Sequence, residues 1–88
     1  MSSLVLADGF EEAFIGVAER FGFSESVAVY DYDRCIEILM DPEVNEDMSM
    51  ESAIEYFEYN VLGSWVGEQT PIFIRKLPLQ HALDMEGF

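Results

Sequence analysis

Basic residues are scarce in this 88-residue chain: four Lys and Arg stand against 18 Asp and Glu, giving a net charge of −14. Nucleic-acid phosphates and acidic lipid headgroups attract clusters of Lys and Arg, so direct binding to nucleic acid or to a membrane is not expected. Cysteine is scarcer still. The lone Cys35 can neither close an intramolecular disulfide nor build a cysteine metal cluster, which points to a reducing compartment and, by default, the cytoplasm. His81 is the only histidine and has no second His or Glu at ligand spacing, so zinc hydrolase chemistry finds no support. No apolar run approaches the ~20 residues needed to cross a bilayer. The stretch from Met1 to Leu6 has no basic residue and meets Asp8 almost at once, so it does not read as a secretory signal. Nucleophile-elbow, phosphate-loop and dinucleotide glycine motifs are missing as well. The chain is expected not to be an enzyme, with no catalytic residue, cofactor or metal.

What is present argues for a fold. Half the residues are hydrophobic and 14% are aromatic, which removes the low hydrophobicity that predicts disorder in highly charged chains. A single domain of this length buries little more than ~60% of the surface its unfolded chain exposes. Its core is therefore thin, and a homo-oligomer is expected.

Periodicity predicts a small α+β domain spanning 1–88. Phe10, Ala13, Phe14, Val17, Ala18 and Phe21 form a helical stripe, with Asp8 and Glu11 as start signals and Gly22 as a stop, so a helix is placed at roughly 9–21. Gly16 inside it is read as a close approach to a neighbouring element. Val27 to Tyr30 reads as a strand (27–30), and Leu4 to Leu6 as a second possible one (4–6). Asp31 to Asp33 opens a helix over 32–41 with Cys35, Ile36, Leu39 and Met40 inward, stopped by Asp41-Pro42. Ser49 caps a third helix, 50–62, carrying Met50, Ala53, Ile54, Phe57 and Val61 on one face up to Gly63. A strand at 72–75 follows Pro71, and beyond Pro78 a short tail from Leu79 to Met85 has helical character.

The charge is focused. Between Asp31 and Glu58 ten carboxylates face only Arg34, a net of −9 in 28 residues. Asp33, Glu37 and Asp41 recur every four residues on the second helix, and Glu51, Glu55 and Glu58 on the third continue a series that begins at Asp47 in the loop. Carboxylates one turn apart stand ~6 Å apart along a helix axis, and like charges at that spacing destabilise it by a few tenths of a kcal/mol. Solvation of an acidic surface accounts for such rows in most proteins. The functional alternative is that they imitate a polyanion and occupy the nucleic-acid-binding groove of a basic partner protein, steered by long-range attraction.

Asp41, Glu43, Asn45, Asp47 and Ser49 fall at alternate positions of a 12-residue window, superficially like a calcium loop. Glu46 stands where the turn needs glycine and Ser52 where a bidentate Glu belongs, so no calcium site is expected. Among the aromatics, Tyr56 and Tyr59 flank the inward side marked by Phe57. With Trp65 and Tyr30 they are candidate anchors of a protein interface.

The segment from Val27 to Ile74 contains Val29-Tyr30-Asp31-Tyr32-Asp33, Glu55-Tyr56-Phe57-Glu58-Tyr59-Asn60-Val61-Leu62-Gly63 and Gly67-Glu68-Gln69-Thr70-Pro71-Ile72-Phe73. It resembles a group of short acidic proteins of tailed phages and prophages, as does the opening Leu6 to Phe10. The resemblance implies a setting inside an infected or lysogenic bacterium and carries no activity. The leading expectation is a binding protein that presents Asp33, Glu37, Asp47, Glu51, Glu55 and Glu58, with Tyr56, Tyr59 and Trp65, to a host or phage protein, in its sharpest form as a nucleic-acid-mimic inhibitor. The alternative is a homo-oligomeric structural or assembly protein whose acidic face only keeps it soluble.

Overall fold

Asp31 ends one strand and starts one helix, and the domain is organised around that junction. In the computed structural model, which describes residues 4–22 and 25–85, β1 (Phe14–Ala18) runs antiparallel to β2 (Val27–Asp31), and β3 (Ile72–Ile74) runs parallel to β2 on its other side. The sheet order is β1-β2-β3. A parallel pair needs a long crossover, here supplied by α1 (Tyr32–Met40) and α2 (Met50–Phe57), the latter continued by a wider π-helical turn, Glu58–Leu62. A short helix α3 (Leu79–Met85) ends the described chain. The α+β class therefore holds.

Local signals set both central helices. The Asp31 side chain accepts a hydrogen bond from the Arg34 N–H at 3.3 Å, and the Ser49 hydroxyl accepts from the Ser52 N–H at 3.1 Å, each satisfying a first-turn donor. α1 stops before Pro42, and the helical run begun at Met50 ends at Leu62. At Gly63 a Cβ would stand 3.1 Å from the Glu58 carbonyl oxygen, a close approach that suits glycine.

The helix expected at 9–21 is not formed. Its start signals make one 3₁₀ turn, Glu11–Ala13, with the Gly9 N–H donating to Glu11 Oε2 at 2.9 Å; the chain then turns extended into β1. Phe14, Ile15 and Val17 are β-formers, and pairing with β2 outweighs a helical stripe interrupted by Gly16. Gly16 also meets no close neighbour, since nothing lies within 4 Å of a Cβ placed there. It sits instead at a register shift between Phe14 and Gly16, where β1 carries an extra residue against β2. Gly22, at φ +90°, serves the turn out of β1 rather than a helix end. Residues 4–6 are not a strand: the Ala7 N–H donates to the Tyr30 hydroxyl at 2.9 Å, so a side chain holds this segment to the domain.

Between the sheet and the helices lies an aromatic core. Phe57 is fully buried, with ring centroids of Phe10, Tyr32 and Phe73 at 5.6, 5.2 and 4.9 Å, all edge to face. Tyr30 stacks on Phe73, and Cys35, Ile36, Leu39 and Ala53 close the space. Met50, expected inward, is exposed at the first turn of α2, and Met40 is only half-buried. Among the described residues no helix is long and apolar enough to cross a membrane.

Candidate functional site

The carboxylates expected to form one working surface divide into two groups, because the few cations in the chain select among them. Arg34 on α1 reaches Glu37 Oε1 and Glu12 Oε2, both at 3.1 Å, which ties α1 to the 3₁₀ turn. Glu58 accepts from the Tyr32 hydroxyl at 2.7 Å and from Arg75 at 3.3 Å, while the Arg75 guanidinium lies 4.2 Å from the centroid of the Tyr32 ring. Burial first, then the Glu58 hydrogen bond, pushes the Tyr32 phenol up from its ordinary value. Arg75 is raised in turn, first by Tyr32 and further by the fields of Glu58 and Asp33. Glu58 thus joins α1 to the chain beyond β3, Glu37 pairs within α1, and Asp33 lies within the field of a cation.

Glu51 and Glu55 differ. They are exposed on α2, one turn apart, and their carboxylates make no hydrogen bond or ion pair among the described residues. Asp47 lies just before this helix at φ +66°, a left-handed conformation that Asp tolerates better than most residues. Glu55 lines an open groove of about 480 Å³ with Met48, Ser52, Tyr56, Tyr59 and Asn60. Tyr56 is 47% and Tyr59 85% exposed. The surface therefore combines unpaired negative charge with two aromatic rings.

Trp65 is exposed in the loop after the π turn and is not among the residues lining that groove. Tyr30 is no anchor: it is 1% exposed and belongs to the core. The structure also supplies a participant that periodicity missed, since the phenol of Tyr32, two residues before the conspicuous Arg34, is what engages Glu58.

Several polar groups of the calcium-like window have local work. Asp41 Oδ1 accepts from the Glu43 N–H at 2.9 Å, the Asn45 amide donates to the Leu39 carbonyl, and Ser49 caps α2. No group of three or more His, Cys, Asp or Glu side chains able to hold a metal occurs among the described residues.

Comparison with protein families, with curated proteins and with solved structures finds no match to this chain. Its function has to be argued from its own surface.

Cys35 offers no chemistry there. It is fully buried, and desolvation first, then the field of Asp31, pushes its thiol up from 9.0 to about 12. Because the thiolate is the reactive form, a disulfide-exchange reagent at mildly alkaline pH should leave the native protein unlabelled and label it fully in denaturant; rapid native labelling would contradict the burial. The folded state holds the Cys35 proton between pH 9 and about 12, so stability from this group is fully present below pH 9. It should decline as pH rises through that window, with Tyr32 acting in the same direction above pH 10.

Proposed function

We propose that the protein is a non-enzymatic binding module that presents the exposed face of α2 to a basic partner protein. Glu51 and Glu55, with Asp47 before them, supply the field, and Tyr56 and Tyr59 supply apolar anchors. The observation that carries this reading is the pairing of two partnerless carboxylates, one turn apart, with two tyrosines exposed beside them. Neither feature helps folding: like charges at that spacing cost a few tenths of a kcal/mol, and an exposed aromatic ring forgoes burial. Tyrosine is enriched at interface centres, with polar groups around it at the rim.

In its sharpest form the module occupies the nucleic-acid-binding surface of its partner. The resemblance to short acidic phage proteins supports a setting in the cytoplasm of an infected or lysogenic bacterium. Asp33, Glu37 and Glu58 add to the overall field, and Trp65 contributes only if the interface extends past the end of the helix.

Tagged protein carried through a bacterial lysate should retain a specific protein at low salt and release it as ionic strength rises, because screening weakens charge-steered association. The double variant Glu51→Lys/Glu55→Lys should retain none of it, with an unchanged melting temperature. Equal capture of the same protein by variant and parent, insensitive to salt, would sink this reading.

A further inference from the structure

The sheet has two faces, and α1 and α2 lie on one. Strand register sets Phe14, Tyr30 and Phe73 side by side toward the helices, and Gly16, Val29 and Ile72 side by side on the opposite face, with Val27 and Ala18 paired next to them. At the bulge Ile15 and Gly16 together oppose Val29. Val29, central on this outer face, is 6% exposed, while Ile15, Ile72 and Ile74 are 49%, 44% and 41% exposed. Of the 18 carboxylates only Asp31 falls within the strands. It lies at the end of β2, caps α1 and faces Lys76 at 3.9 Å. A chain of net charge −14 thus keeps one nearly uncharged, apolar face.

We propose that this face packs against the same face of a second copy, forming a homodimer with two sheets ~10 Å apart. Charge selects the occupant. A basic partner gains nothing from an uncharged sheet, and an anionic bilayer repels the chain as a whole. A second copy can approach here without bringing carboxylates together.

Area agrees. The chain exposes 6713 Å², whereas a folded monomer of 10.0 kDa exposes about 5,200 Å². The excess of about 1,500 Å², spread over the whole chain, leaves room for an interface of ~800 Å² per partner, of which Ile15, Ile72 and Ile74 would form the centre. The shape fits as well: the radius of gyration is 14.5 Å and the thinnest extent 19 Å, against a radius of about 12 Å for a compact chain of this length. One helical layer and one sheet layer leave an outer face for a partner.

Sedimentation equilibrium of the full chain at micromolar concentration should give twice the 10.0 kDa chain mass, and the melting temperature should rise with protein concentration, as mass action requires of a dimer. Ile72→Lys/Ile74→Lys should sediment as single chains. Because lysine lowers the net negative charge, that outcome cannot come from greater repulsion between the net charges of the two copies. Added salt should strengthen the dimer by screening the −14 of each copy, opposite to its effect on a basic partner, so this inference and the binding role fail independently. A parent chain that stays monomeric with a concentration-independent melt overturns the proposal, even should the variant not fold. A double variant that still dimerises, a dimer dissolved by salt, or a monomer that floats with zwitterionic vesicles also overturns it.

Discussion

Phe57→Ala should abolish stable folding at physiological temperature or lower the melting temperature by ~12 °C or more. The ring is fully buried and touches Phe10, Tyr32 and Phe73 edge to face, so truncation removes its transfer energy and opens a cavity among residues from four parts of the chain. Such changes cost ~3–5 kcal/mol, and each kcal/mol shifts the melt of a domain this size by ~4–8 °C. An 88-residue domain has a total stability of only ~4–13 kcal/mol. Phe57→Leu fills part of the same space and should lose less. The contrast is Tyr59→Ala on the neighbouring turn: at 85% exposure it should move stability by no more than ~0.5 kcal/mol. Thermal melts followed by circular dichroism decide it, and equal losses at both positions would contradict the packing described.

Glu58→Lys should destabilise by ~2–3 kcal/mol, although Glu51→Lys and Glu55→Lys on the same helical run are neutral. The three look equivalent as a row of carboxylates. In the fold, Glu58 alone accepts from the buried Tyr32 phenol, at 2.7 Å, and from Arg75. A hydrogen bond to a charged group contributes ~1.5–3 kcal/mol, whereas the half-exposed ion pair adds at most ~1 kcal/mol. Lysine leaves the phenol without its acceptor and sets an ammonium against the guanidinium. Glu58→Gln retains an acceptor and should cost less than ~1 kcal/mol, mostly the ion pair. In a Tyr32→Phe background the lysine substitution should cost less, a coupling measurable by a double-mutant cycle. If Glu58→Lys proves as neutral as Glu51→Lys, the Tyr32, Glu58, Arg75 cluster does not hold the domain. The same distinction bears on function: a charge reversal that includes Glu58 confounds folding with binding, so Glu51 and Glu55 are the clean probe.

The sequence by itself determined the features that depend on neighbours within a turn or two. Asp31 and Ser49 as caps, the stop at Pro42, the helical runs from Tyr32 and Met50, and the strands around Val29 and Phe73 all follow from local propensity and periodicity, because one hydrogen-bonded turn or one pleat decides them. The focusing of charge on residues 31–58 was equally legible, being a matter of counting. Residues 10–21 escaped it. Their apolar spacing fits a helix, and only pairing with β2, 9 to 16 residues away, converts Phe14 to Ala18 into an edge strand. That pairing is a tertiary interaction which no local pattern encodes. The division of the acidic row was hidden for the same reason. Glu51, Glu55 and Glu58 are one residue type at helical spacing, and what separates them is that the fold carries Tyr32 and Arg75 to Glu58 from 26 and 17 residues away. Whether a carboxylate is structural or free for a partner depends on which cation and which phenol the fold brings within 3.3 Å of it, and only the tertiary structure decides that.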